Sequence, residues 1–275
     1  LAILYSETQR FQESETMYNS ALAIYERLAK ANLQAYEPDL AASYNNFGNL
    51  YSDTLRFNES EEMYKLALAI RERLAKANPQ AYEPDLAVSY NNFGNLYYAT
   101  QRFQESEAMY KSALAIYERL AKANPQAYEL DLADSYYNLA NLYSDTQRFQ
   151  ESEAMYKSAL AIRERLAKAN PQAYEPALAD SYNNLAILYK NTQWFQESEE
   201  MHKSAIAIRE RLAKANPQAY ESVLADSYNN LANLYSDTQR FQESEEMYKS
   251  ALAIRERLAK ANPQAYEPDL AGSYN

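Results

Sequence analysis

The apolar positions of the chain alternate between two helical patterns. Leu86, Tyr90, Phe93, Gly94 and Tyr97 step by four, three, one and three residues, which at about 100° per residue gathers them on one stripe of a helix, called helix A. Phe103, Ser106, Tyr110, Ala113, Leu114 and Leu120 make a second, longer stripe, helix B. Glu105 and Glu107 near the start of helix B and Lys122 near its end suit the helix dipole. The segment NPQAYEP then predicts the end of helix B and a short, stiff joint. Proline disfavours helical backbone in the residue before it and has no amide hydrogen, while Pro84 suits the first turn of the next helix. Leu33, Leu130 and Ser222 each replace one of these prolines, so flexibility is expected at those joints.

The same pair of patterns recurs. Phe11, Phe57, Phe103, Phe149, Phe195 and Phe241 are spaced by 46 residues throughout. The units are 39–84, 85–130, 131–176, 177–222 and 223–268, with partial units at 1–38 and 269–275. One helical pair cannot bury two apolar stripes alone, whereas stacked pairs share a continuous core, so the pattern predicts an all-α solenoid of antiparallel helix pairs, a single domain over residues 1–275.

Residues 135–162, SYYNLANLYSDTQRFQESEAMYKSALAI, resemble the tetratricopeptide repeat family. Tyr136, Leu139, Ala140 and Tyr143 stand at its helix A positions, and Phe149, Ser152 and Ala159 at its helix B positions. The resemblance extends over every unit. The 46-residue period is longer than the family's usual period of about 34 residues, and the added RERLAKANPQAYEP is similar to the longer repeats of kinesin light chains and bacterial sensor proteins. The family's proline after helix B and its frequent glycine between the helices are missing. The resemblance implies a right-handed superhelix with helix A lining the concave face, and a peptide-binding groove there.

Composition narrows the partners. With 38 acidic against 27 basic residues the formal charge is -11, and no cluster of Lys and Arg stands ready to neutralise phosphates, so nucleic acid is excluded in favour of basic or neutral partners. No apolar run approaches the roughly 18 residues of a membrane span, and the start, LAILYSETQRF, is unlike a signal peptide. Cysteine is absent, which removes disulfides and thiolate metal sites; the cytoplasm is the default compartment. Gly48 and Gly94 read as small core residues, so no phosphate-cradling loop exists, and the glutamates of helix B read as a solvated face beside Lys65 and Arg71. No catalytic residue, metal ligand or cofactor site is expected.

Candidate binding residues fall opposite the helix A stripe. Asn45, Asn91, Asn183 and Asn229 form one column and Asn49, Asn95, Asn141 and Asn233 another. Two readings stay open. Asn amides both donate and accept, so such a ladder suits the backbone of an extended peptide; alternatively they tie neighbouring helices together. A third column, including Asn46, Asn92, Asn138, Asn184 and Asn230, is expected to be structural. Unit 177–222 departs from its siblings. Ile187 stands in an Asn column, Lys190 in a Ser column, Asn191 in an Asp column and Trp194 in an Arg column, while His202 replaces a Tyr of helix B. Together Ile187, Lys190, Asn191 and Trp194 make a patch suited to a binding hot spot, or else mark a drifted unit in which Trp194 packs over the neighbouring turn. Tyr98 and Tyr137 add aromatic rings to the same face.

The function expected from these features is a non-catalytic scaffold for a protein or extended peptide. A sensor array within a larger signalling protein and a self-assembling element are the alternatives. The last residues, DLAGSYN, resemble the first half of helix A and the first residues, LAILYSE, its second half, so copies are expected to stack end to end.

Overall fold

The computed structural model describes residues 1–274; the last position of the partial unit 269–275 lies outside them. Every element among these residues is an α-helix: α1 Ala2–Glu7, α2 Phe11–Ala31, α3 Leu33–Asp53, α4 Phe57–Ala77, α5 Pro79–Ala99, α6 Phe103–Ala123, α7 Pro125–Asp145, α8 Phe149–Ala169, α9 Pro171–Asn191, α10 Phe195–Ala215, α11 Pro217–Asp237, α12 Phe241–Ala261 and α13 Pro263–Ser273. Odd-numbered helices are the A helices and even-numbered ones the B helices. The chain divides into two compact units, Leu1–Leu142 and Tyr143–Asn275, each built of consecutive helix pairs. In the first, α3 packs against α4 and α5 against α6; in the second, α9 packs against α10 and α11 against α12.

The 46-residue period holds and helix B ends where expected, α4 at Ala77 and α6 at Ala123, but the joint is shorter than expected. The segment NPQAYEP is helix rather than joint, and α5 begins at Pro79 instead of near Asp85. Asn78 alone separates α4 from α5. Its side chain accepts the amide of Ala81 (3.3 Å) and Pro79 takes the first helical position, the pairing of an Asn cap with a proline that has no amide hydrogen to leave unpaired. Pro84 lies inside α5 and forgoes only a bond to Gln80, in the exposed first turn. Leu130 and Ser222 therefore sit in continuous helix, not at joints, while Leu33 opens α3 directly after the joint residue Asn32.

The turn from A to B closes without glycine. In α5 the amide of Arg102 bonds to the carbonyl of Tyr97 (2.8 Å) and that of Gln101 to Tyr98 (3.0 Å), with Gln101 at φ 58°. This is the C-terminal motif in which glycine is usual, since a left-handed backbone strains any residue with a Cβ. Gln9, Leu55, Gln147, Gln193 and Gln239 repeat the conformation. Leu55 is exposed as well. Leu55→Gly is expected to raise stability by about 0.5–1 kcal/mol, the relieved strain exceeding the added chain entropy; urea unfolding checks it through a higher midpoint.

Within a pair the contact is close. Ser60 on α4 donates to the carbonyl of Gly48 on α3 (2.8 Å), and Ser106, Ser198 and Ser244 repeat that bond to Gly94, Ala186 and Ala232. The buried serine column thus joins helix B to helix A while leaving no hydroxyl unpaired.

Candidate functional site

Helix A has more than one buried side. Asn45 is 3% exposed, and its Oδ1 accepts from Asn92 Nδ2 (3.3 Å), Ser89 Oγ (3.4 Å) and Arg71 Nη1 (3.4 Å), all from later in the stack. Asn183, 8% exposed, accepts from Asn230 Nδ2 (3.2 Å) and donates to Asn184 Oδ1 (3.3 Å). Asn91 donates to Ser135 Oγ (3.2 Å). The expectation that the first column faces solvent is therefore corrected for Asn45 and Asn183: the next pair covers them, and they tie repeat to repeat. Asn91 and Asn229 are half-buried. A helical wheel finds the stripe facing helix B but not the second contact that stacking adds, α3 with α5 and α9 with α11. Asn92, Asn184 and Asn230 serve the structural role expected of their column.

Buried arginines, which sequence reasoning placed on a solvated face, complete this joint. Arg71 Nη1 donates to Ser89 Oγ (2.6 Å) and the Asp85 carbonyl (2.9 Å). Arg209 reaches Ser227, the Val223 carbonyl (3.1 Å) and Asp180 (2.5 Å). Burial pushes the Arg71 guanidinium below its ordinary value. The missed signal was their place one turn before the final leucine of the helix B stripe.

The second Asn column is different. Tyr64 of helix B donates its hydroxyl to Asn49 Oδ1 (2.6 Å), Tyr110 to Asn95 Oδ1 (2.6 Å) and Tyr248 to Asn233 Oδ1 (2.5 Å). The amide oxygen is thereby held and the amide N–H groups of Asn49, Asn95 and Asn233 are left as donors. Asn95 is exposed, while Asn49, Asn141 and Asn233 are half-buried. In unit 177–222 both members of the pair change, to Ile187 and His202. His202 is fully buried, and neither ring nitrogen has a hydrogen-bond partner. Burial, with the nearby charges of Lys190 and Arg209, pushes the imidazole down to about 4.

At the A–B turn an arginine recurs in a three-sided seat. In Arg10, Arg56, Arg102, Arg148 and Arg240 the guanidinium carbon lies 4.1–4.2 Å from the ring centre of the tyrosine five residues earlier. Each also pairs with the glutamate three residues on: Glu13, Glu59, Glu105, Glu151 and Glu243. Arg56, Arg102 and Arg240 add a glutamate from the preceding helix B: Glu15, Glu61 and Glu199. Arg240, with Lys203 and Tyr235, holds the Glu199 carboxylate down to about 2 against the effect of burial.

Trp194 takes the arginine's place in unit 177–222. Its ring stacks on Tyr189 (centroids 5.5 Å, interplanar angle 20°) and stays 49% exposed. It borders an open cleft of about 640 Å³ walled by Phe149, Glu153, Leu188 and Tyr189, and a second, shallower one of about 370 Å³ that includes Glu197. Of the rest of the patch, Ile187 is half-buried, Asn191 is exposed, and Lys190 pairs with Asp237 (2.8 Å). Tyr98 meets Phe103 edge-on (6.1 Å) and Tyr137 is half-buried.

Among the described residues no group of three or more His, Cys, Asp or Glu is placed to hold a metal ion, and no helix is long and apolar enough to cross a membrane.

Comparison with known proteins follows the same lines. The sequence matches the tetratricopeptide repeat over residues 1–73, 39–119, 85–165 and 131–211, and again over 224–264. No curated protein matches it. Among solved structures, BtubC (BKLC) from P. vanneervenii is 23% identical with a TM-score of 0.73, the match covering 90% of this chain and 92% of that one. A Podosopora anserina putative kinesin light chain with nearly identical TPR-like repeats is 21% identical, TM-score 0.62, covering 82% and 98%. The apo form of RapI is 14% identical, TM-score 0.64, covering 80% and 72%. At these identities the likeness is one of fold.

Proposed function

Because the chain belongs to the tetratricopeptide repeat family, whose members are in general protein-interaction scaffolds, we propose that it binds an extended segment of another protein along its A helices and carries out no catalysis itself. The observation that carries this reading is the tyrosine-held amide. With Oδ1 of Asn49 and Asn95 occupied by Tyr64 and Tyr110, the two side chains offer donors at a fixed repeat spacing. A peptide backbone supplies carbonyl acceptors at regular intervals, and recognition through them requires no particular side chains. Asn141 continues the row in the first unit and Asn233 stands at the same position in the second. Ile187, Lys190, Asn191 and Trp194 supply a local apolar and less acidic contact, Tyr98 and Tyr137 supply aromatic edges, and Asn91 and Asn229 lie at the margin. The charge of -11 favours basic or neutral segments.

The double variant Asn49→Asp/Asn95→Asp keeps an oxygen for each tyrosine hydroxyl and removes the donors. A peptide selected from a displayed random library is expected to bind it about tenfold or more weakly, two hydrogen bonds contributing about 0.5–1.5 kcal/mol each. Calorimetric titration that finds unchanged affinity would remove the amide row from the binding surface.

A further inference from the structure

Trp194 leaves two carboxylates short of a cation. Glu61 and Glu199 each pair with a lysine of their own helix and with the turn arginine of the next repeat: Lys65 and Arg102 for Glu61, Lys203 and Arg240 for Glu199. Glu153 occupies the same place in its helix and receives Lys157 (2.6 Å) and the Tyr189 hydroxyl (3.1 Å), but at the position of the arginine stands Trp194. Glu197 likewise sits three residues after Trp194, where its counterparts Glu13, Glu59, Glu105, Glu151 and Glu243 hold the arginine. Each acid shares a cleft with the indole, Glu153 the larger and Glu197 the smaller. Arg148, the cation bordering the larger cleft, is paired with Glu151.

The geometry points to an arginine receptor: the cleft beside Trp194 takes an arginine side chain of the bound protein segment, whose guanidinium pairs with Glu153 and lies against the indole, as the chain's own arginine does against tyrosine in the other repeats. The fit is chemical on each side. A guanidinium is planar, weakly hydrated and always charged, so it stacks on an indole face and forks onto a carboxylate, which a lysine ammonium does less well. Indole is the strongest of the aromatic rings for a cation, and one face of Trp194 is taken by Tyr189 while the ring remains half open to solvent. Phe149, half-buried at the cleft, gives the methylene stem an apolar wall. The net acidity of the chain attracts such a partner before contact. This inference rests on the scaffold reading and names the partner's chemistry at one end of it.

Trp194 is the chain's single tryptophan, so tryptophan fluorescence reports the surroundings of this one ring. The probe is N-acetyl-arginine amide, titrated against the isosteric, uncharged N-acetyl-citrulline amide. The arginine derivative is expected to change the emission saturably and the citrulline derivative not to; Glu153→Gln is expected to weaken the response about tenfold, the loss of one charge-assisted hydrogen bond. Glu197→Gln, an exposed change that leaves the helix pair intact, is expected to weaken it less. Equal responses to the two probes, or wild-type affinity in both variants, would overturn the assignment. Such a result would leave the amide row standing if Asn49→Asp/Asn95→Asp still loses the library peptide, and loss of the row would leave this titration unchanged.

Discussion

Lowering the pH from 7 to 4 is expected to cost the protein about 3 kcal/mol through His202 alone, since a shift of one pKa unit corresponds to about 1.4 kcal/mol. The imidazole titrates at its ordinary value of 6.5 when unfolded and is pushed down to about 4 in the folded chain. Between those values the unfolded state binds the proton and the folded state refuses it, so stability falls as pH drops through 6.5 and levels off below 4. The cause is visible: a fully buried ring, no hydrogen-bond partner for either nitrogen, and Lys190 and Arg209 as the nearby charges. The double variant His202→Tyr/Ile187→Asn restores the pair seen at Tyr64 and Asn49, and its stability is expected to lose this component of the pH dependence. Urea unfolding at pH 7, 5.5 and 4 measures both proteins. The Glu199 carboxylate, held down to about 2, gives a separate loss at lower pH, from the carboxylate range downwards, and is common to both.

A second large effect is expected at Gly48. A Cβ placed there would stand 2.6 Å from two ring carbons of Tyr64, a buried side chain whose hydroxyl is bonded to Asn49. The ring cannot retreat freely, because Phe93 of the following repeat packs on it with centroids 5.8 Å apart. Gly48→Ala is therefore expected to destabilise by about 1–2 kcal/mol, overpacking outweighing the gain in helix propensity. Where the chain itself carries alanine at this position, as at Ala186 and Ala232, it carries Leu185 and Leu231 rather than phenylalanine beside it. Phe93→Leu opens room on the far side of Tyr64, so the double variant Gly48→Ala/Phe93→Leu is expected to be more stable than the sum of its parts by about 1 kcal/mol. Strict additivity would show that Tyr64 does not transmit the strain.

Periodicity made the architecture legible before any coordinates. Phenylalanines every 46 residues and two stripes of distinct spacing define the helix pairs, and Phe103–Ala123 falls where the charges at its ends place it. Helix B ends at the Asn-Pro step as its proline implies, but Pro79 also opens the next helix and Pro84 lies where a missing amide costs little, so the joint shrinks to Asn78. The candidate site was legible only in part. A single wheel treats the face away from helix B as free, so Asn45 and Asn49 looked alike. Stacking separates them, burying Asn45 against Asn92 and leaving Asn49 held by Tyr64. The unusual unit was legible from comparison within the chain, but the joint change of Asn to Ile187 and Tyr to His202 gains its meaning only once the hydroxyl-to-amide bond of the other units is known.

The most direct test of the scaffold account is nuclear magnetic resonance of the side-chain amides while a library-selected peptide is added. The account predicts that the Nδ2 resonances of Asn49, Asn95 and Asn233 move with peptide concentration, while those of Asn45 and Asn183, sealed between repeats, stay in place. A peptide that binds tightly and moves none of the first three resonances would contradict it.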